Sequence, residues 1–371
     1  MKTTFRFATQ IKYCLLGVLL CYAAKSQLTL STPHNNSESD REIKLVAMEE
    51  KINKKEFKKI TSVLVQHKGQ LVYEKYFNSG GADTLNDIRS AGKSLTAILF
   101  GIALADKAIP SVDSAILPYF QDKKPFAHPF PAKSAISFKD LLTMSSSLEC
   151  NDWEQYSAGN EERMYLRKDW EQFVLDLPER GIPPWQPKLE QRKYGRSYSY
   201  CTGGVFLIGS AIERTTGKKL DQYAQEKLFN PMGIKQVKWP VSPMGIIQGG
   251  GGVQFRSRDL IKIGQLMLNN GQFNKKQLVK ENWVDEMLRR RNVAVADRNI
   301  EYGYLWWIFD FEVQNKKITA YAASGNGGNY LFIVPELHLT ALVTSQAYNT
   351  SYMHQQSQSI FKDSILPSIL N

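Results

Sequence analysis

The stretch Ile88–Lys107, IRSAGKSLTAILFGIALADK, decides how the rest of the chain is read. From Leu95 onward it is largely apolar on every side, with small residues at Ala97, Gly101, Ala103 and Ala105. A helix that is apolar all round belongs in the middle of a fold. At its start stand Ser90 and Lys93. Three residues apart, they share one face of a helical turn. A hydroxyl is a poor nucleophile until something takes its proton. A lysine can do this when burial or neighbouring cations leave part of it as free amine. The reading is therefore a serine nucleophile with a lysine partner. The signal is weak by itself, because roughly two Ser-x-x-Lys matches arise by chance in a chain of this length.

Outward from this helix, the N-terminal side carries two β-rich runs, Ile60–Val65 and Gly69–Tyr76, joined by a hairpin signal at Gln66-His67-Lys68-Gly69. On the C-terminal side the chain turns irregular after Ile109-Pro110, with Pro118, Pro125, Pro129 and Pro131. Short helices follow, one starting at Ser137 as its cap and others between Glu161 and Leu177. Gly203–Arg214 reads as a second buried helix. Strand character returns at Tyr302–Phe309, Lys317–Ala322, Tyr330–Val334 and Leu339–Thr344, and residues 356–370 read as a closing amphipathic helix. The order predicts one α/β domain of the α+β type, made from both chain ends (46–110 and 291–371). A mostly helical domain, 111–290, is inserted between them. The 371 residues suit that arrangement.

Lys2, Arg6 and Lys12 precede an apolar run, Tyr13–Ala24, and Ala24-Lys25-Ser26 has small residues where a signal peptidase needs them. Residues 1–26 read as a secretory signal peptide, with an uncleaved anchor as the alternative, and 27–45 as a loose leader. The expected location is periplasmic or secreted. The signal segment holds four basic and no acidic residues, so its removal lowers the formal charge from +11 to +7. The lysines are dispersed, and the densest run, Lys51–Lys59, reads as a solvated face. At most it suggests peripheral contact with an anionic membrane surface. No zinc finger or recognition-helix signature is present, so no nucleic acid partner is expected, and no protein partner either. Cys14 and Cys21 leave with the signal segment. Cys150 and Cys201 remain, as one long-range disulfide or as two buried thiols.

The four consecutive glycines Gly249–Gly252 allow a tight turn or a close backbone approach, but lack the Lys-Ser/Thr of a phosphate loop. His34, His67, His128, His338 and His354 read as surface residues, and no G-x-S-x-G elbow surrounds any serine. No clustered ligand set points to a metal, and no cofactor is expected.

Several segments together carry a resemblance. Ser90-Ala91-Gly92-Lys93-Ser94 resembles the first motif, Ser-x-x-Lys, of the serine β-lactamase and penicillin-recognising superfamily. Leu141–Leu148, LLTMSSSL, resembles its Leu-Leu-Thr-Met-Thr-Ser-Gly-Leu segment. In Tyr198–Gly209, YSYCTGGVFLIG, counting back from Gly209 puts the family's tyrosine at Tyr200, with Cys201 and Thr202 at the Ser and Asn places and Tyr198 as packing. Ala323-Ser324-Gly325 stands where Lys-Thr-Gly is usual, inside an esterase-like AASGNGGNYLFIVP. The chain is thus identified as a member of the class C-like branch: esterases, D-aminopeptidases and 6-aminohexanoate-oligomer hydrolases.

The resemblance implies a β-lactamase/transpeptidase-like fold, an antiparallel sheet flanked by helices. It implies Ser90, Lys93 and Tyr200 as catalytic residues, with the backbone N–H groups of Ser90 and Asn326 as the oxyanion hole. Thr202, Ser324, Gly325 and Gly327 are the expected pocket residues. Tyr200 was expected to act as a relay, its pKa lowered by nearby cations. Trp306 and Trp307 read as core strand residues, and Trp153 and Trp185 as further pocket candidates. The implied function is an exported serine hydrolase of ester or linear amide bonds in small molecules or short peptides. A β-lactamase or D-peptidase is the second reading, and a non-catalytic cell-envelope binding protein the third. The lysine absent at Ala323 and the amide absent at Thr202 weigh against antibiotic hydrolysis.

Overall fold

The computed structural model describes residues 36–370. The signal segment 1–26, and the leader as far as residue 35, lie outside the described residues. From Asn36 on, the loose leader is corrected: α1 (Asn36–Asn53) is a helix. Its Leu45, Met48 and Ile52 fall on one face and are buried against the sheet, an apolar stripe that starts where the leader was expected to end.

β1 (Ile60–His67) and β2 (Gln70–Tyr76) form the expected hairpin. His67 pairs with Gln70, and the two turn residues, Lys68 and Gly69, both have positive φ, at 50° and 79°. Such a turn matches the twist of the flanking strands. Six further strands complete the sheet: β3 (Asn292–Val295), β4 (Ile300–Tyr302), β5 (Trp307–Val313), β6 (Lys316–Gly325), β7 (Asn329–Val334) and β8 (Leu339–Ser345). All neighbours are antiparallel, in the order β2-β1-β8-β7-β6-β5-β4-β3. Both chain ends therefore share one sheet, with helices on its two faces.

Side chains alternate along these strands, as a pleated backbone requires. Tyr330, Phe332 and Val334 of β7 face the core shared with α1 and the closing helical segment, while Leu331 and Ile333 face the opposite core. The closing segment begins with α6 (Met353–Ser359) and stays helical to Ile369. One expected strand is broken: Tyr302–Phe309 is the end of β4, a turn, and the start of β5. In the turn Gly303 N–H donates to Trp306 O at 2.9 Å and Leu305 has φ +58°. The break is tied from outside, because the Leu305 carbonyl accepts from Ser94 Oγ at 2.6 Å and its N–H donates to Leu142 O at 3.0 Å.

The stretch that opened the reading forms α2 (Gly92–Ala105), buried from Gly92 to Ala103. It packs against α3 (Thr202–Thr216), against β6, and against α5 (Glu281–Leu288). Gly101 shows why small residues recur there: a Cβ at that position would stand 1.9 Å from the Trp283 ring of α5. α3 ends on Gly217 at φ +67°, a left-handed stop that glycine takes without cost. α4 (Ser257–Leu268) packs on β8, β7 and β1, a placement not anticipated by a domain division at residue 290. A small three-stranded sheet joins Leu85–Asp87 to Gln254–Arg256 and Val237–Lys238. It brings the segment ahead of Ser90 against the segment that follows the glycine run.

Candidate active site

Ser90 stands at the head of α2, in the tight turn Arg89–Ala91. Arg89 has φ +50°, which is strained for a residue with a side chain. It is held there by its N–H to Asp87 Oδ1 (2.9 Å), by an ion pair to Asp87 (3.2 Å) and by stacking on Tyr348 (4.6 Å). The neighbouring backbone comes very close. A Cβ at Gly325, the last residue of β6, would lie 2.0 Å from Ile88 O. The glycine run approaches from the other side, with Gly252 N–H donating to Arg89 O (3.3 Å) and Gly251 against Arg89. Gly251 and Gly252 thus make a close backbone approach to the Ser90 turn, while Gly249 and Gly250 pack against α3.

Lys93 lies one turn into α2 and is 1% exposed. Its Nζ is 2.9 Å from Ser90 Oγ and donates to Gly250 O at 2.5 Å. Burial pushes its pKa down, and Glu161 and Asp152 partly oppose that shift. The setting favours free amine, the form that can accept a proton.

Tyr200 reaches the same point from the loop segment ahead of α3. Its backbone is held by Ser199 N–H to Met144 O (2.8 Å) and by Asp152 N–H to Tyr200 O (2.8 Å). The LLTMSSSL segment therefore supports the tyrosine. The Tyr200 phenol lies near enough to Ser90 to feel its hydroxyl, and its ring centroid is 4.9 Å from Lys93 Nζ. Tyr198 packs against Tyr302, Trp153 and Trp307, with its hydroxyl unpartnered among the described residues. The electrostatics of Tyr200 correct one expectation. Burial first, then Asp152 and Glu161, raise its pKa, against the lowering effect of the Ser90 hydroxyl. The charges added around it are acidic, so it is a neutral phenol at pH 7 and the buried lysine is the better base.

Cys150 and Cys201 are disulfide-bonded, with S–S 2.02 Å. The bond joins the residue next to Tyr200 to the segment carrying Asp152. The Asp152 carboxylate accepts from Thr202 N–H (2.7 Å) and from Glu161 N–H (2.9 Å). Burial and the nearby Glu161 raise its pKa to about 6. Neither acid was singled out from the sequence: Asp152 lies in a stretch given no element and Glu161 at the expected start of a helix, and their approach to Lys93 is entirely long-range.

Two clefts meet at Ser90. One, of about 310 Å³, is lined by Trp153, Tyr200, Trp307, Phe309 and Tyr330, with Ser324, Gly325 and Asn326 at the β6 edge. The other, of about 580 Å³, is lined by Glu162, Lys238, Gln248 and Gln254 among others. Ser90, Glu161 and Asn326 border both. Trp153 stacks on Tyr200 (5.6 Å, 11°) and on Trp307 (6.3 Å, 21°).

The expected pocket residues divide. Ser324 and Gly325 line the first cleft, and Asn326 borders both, its side chain tied to Asn349 by bonds of 2.6 and 2.9 Å. Thr202 is corrected: it is fully buried, and its backbone and methyl lie where a Cβ on Gly250 would stand. Gly327 is corrected too: it is a turn residue at φ +88°, packed against Tyr348 and bonded to Met353 Sδ. Trp307 sits on a strand as expected but also lines the cleft, while Trp306 is core and Trp185 is exposed. His354, read as a surface residue, lines the first cleft and bonds Tyr330 Oη at 2.9 Å. Only its place on α6, packed against β7, brings it there.

Comparison with known proteins follows the same lines. A family model for beta-lactamase matches residues 58–362. No curated protein matches the chain. Among solved structures, a Bacillus anthracis protein assigned as a 6-aminohexanoate-dimer hydrolase is 21% identical, with TM-score 0.67 over 84% of this chain and 80% of that one. A Bacteroides dorei protein assigned as a beta-lactamase is 16% identical, with TM-score 0.69 over 90% and 99%. The simvastatin synthase of Aspergillus terreus is 16% identical, with TM-score 0.65 over 90% and 96%. These likenesses in structure are likenesses of fold.

Proposed function

The chain belongs to the beta-lactamase family and is by that membership a serine hydrolase; from this premise we propose that it cleaves esters or linear amides through an acyl-enzyme on Ser90. The observation that carries the reading is the 2.9 Å bond between Lys93 Nζ and Ser90 Oγ beside the Tyr200 ring, set where two clefts meet.

Lys93, as free amine, takes the Ser90 proton while Oγ attacks the acyl carbon. The developing oxyanion is received by the backbone N–H groups of Ser90 and Asn326, one at a helix head and one at a strand end. Tyr200, a neutral phenol, gives its proton to the leaving oxygen or nitrogen, and the Lys93 ammonium, which holds the proton taken from Ser90, returns one to the phenolate. Water then attacks the acyl-enzyme with the same groups in reverse order. The two-sided cleft suits a linear substrate, with acyl and leaving parts on opposite sides of Ser90. Aromatic walls on one side favour an apolar group there.

Export belongs to the same proposal. Its support is the signal-like residues 1–26 together with the Cys150–Cys201 disulfide, a bond that persists in oxidising compartments.

A substrate panel tests the reading: p-nitrophenyl esters, p-nitroanilides of D-amino acids, and nitrocefin, each with the wild type and Ser90→Ala. Ester or anilide turnover that vanishes in Ser90→Ala is the expected result. Nitrocefin turnover as the dominant activity would favour the β-lactamase reading. No turnover of any member, together with no covalent labelling of Ser90, would leave a binding protein.

A further inference from the structure

A buried carboxylate beside a buried amine is costly unless something fixes it in place, and Asp152 is fixed from four directions. Its N–H donates to Tyr200 O at 2.8 Å. Its two carboxylate oxygens accept from Thr202 N–H at 2.7 Å and Glu161 N–H at 2.9 Å. Two residues before it, Cys150 is bonded to Cys201, and one residue after it, Trp153 lies flat on the Tyr200 ring. Every link runs to the segment that carries Tyr200 or to the short helix Glu161–Tyr165. The carboxylate that results lines the same cleft as Ser90. Lys93, for its part, makes no direct ion pair among the described residues; its nitrogen bonds Ser90 Oγ and Gly250 O. Its charge is balanced at a distance.

We propose that Asp152 is a positioning residue for this reaction: its fixed negative charge governs how readily Lys93 gives up its proton, and so the pH at which Ser90 becomes reactive. The proposal rests on the acyl-enzyme reading of Ser90. The groups that face Asp152 are Lys93 from α2, Glu161 and Tyr165 from the short helix, and Tyr198 and Tyr200 from the loop segment ahead of α3. Lys93 supplies the cation among them, Glu161 the second carboxylate, and the three tyrosines are neutral phenols. In this setting a negative charge favours protonated lysine, while burial favours free amine. Removing the Asp152 charge therefore lowers the pKa of Lys93 and extends reactivity to lower pH.

The test is the rate of Ser90 labelling by a fluorophosphonate probe as a function of pH, read by mass spectrometry on the full-length protein. The rate should rise with pH along an acid limb set by Lys93. In Asp152→Asn that limb should move to lower pH by roughly one unit or more, the usual effect of one nearby charge. Glu161→Gln, whose side chain otherwise bonds only Tyr165, should move it the same way by less. If Asp152→Asn fails to fold, Glu161→Gln decides alone. A carboxylate that merely caps two helix starts would lower the melting temperature of Asp152→Asn and leave the limb in place. Limbs that coincide with wild type, or that move to higher pH, overturn the proposal while the acyl-enzyme reading stands. A wild-type protein that is never labelled at Ser90 overturns both.

Discussion

Lys93 Nζ lies 4.9 Å from the centroid of the Tyr200 ring, so the amine meets the face of the phenol and not its hydroxyl. Ser90 Oγ lies 2.9 Å from the same Nζ. In the proposed reaction the three groups share the proton transfers, and a substitution can isolate the role of each.

Lys93→Met keeps the bulk of the buried stem and removes the amine. With no base left, kcat on an activated ester should fall by roughly 10²–10⁴. The melting temperature should hold or rise, because a buried amine whose pKa is pushed down is a cost to the fold. Activity lost together with a collapsed melting curve would mean that Lys93 holds the structure and does not serve the reaction.

Tyr200→Phe keeps the ring between Trp153 and Trp307 and removes the hydroxyl alone. A proton relay predicts a fall in kcat of roughly 10²–10⁴ with KM changed by no more than a few-fold. The loss should be largest on substrates with poor leaving groups, which depend most on the donated proton. A raised KM with kcat intact would make the phenol a binding group only.

The sequence carried the two long-range partners unequally. Ser90 and Lys93 were legible because they are one helical turn apart, and that helix is apolar enough to declare itself. Tyr200, more than a hundred residues away, was legible only through the family resemblance, whose pattern sets a tyrosine at that distance before Gly209. The hairpin, α2, α3 and the strand β7 follow from local pattern. Asp152, Glu161 and His354 were hidden because nothing local marks them. A carboxylate in a polar loop has the same neighbours in sequence whether it ends in solvent or beside a buried lysine. The break between β4 and β5 was hidden for a related reason, since the bonds that bend it come from Ser94 and Leu142.

The disulfide closes a loop with a sequence separation of 51 residues and clamps the Tyr200 segment to the Asp152 segment. Chain entropy alone gives such a cross-link about 4 kcal/mol. A Cys150→Ala/Cys201→Ala double variant should melt well below wild type, and reductant should lower the wild-type melting temperature without affecting the variant. Equal melting temperatures with and without reductant would show that the bond contributes nothing to stability.

His354 is pushed down to about 4 by burial and by the Arg298 charge, against an ordinary 6.5. The unfolded chain therefore binds this proton first, and stability is fully present above pH 6.5 and lost as the pH falls towards 4. The shift corresponds to on the order of 3 kcal/mol. Urea unfolding at pH 7 and pH 4.5 measures the loss. It should be markedly smaller in His354→Gln, which keeps a partner for Tyr330 and does not titrate. The same pH dependence in both proteins would place the titrating group elsewhere.

The central claim is a covalent acyl group on Ser90. Rapid acid quench during turnover of a slow p-nitrophenyl ester, followed by intact-mass measurement and peptide mapping, tests it most directly. The account predicts a mass increase of one acyl group on the peptide carrying Ser90, absent in Ser90→Ala and shed on incubation in fresh buffer. Turnover of the ester with the adduct on another residue, or with Ser90→Ala as active as wild type, would contradict it.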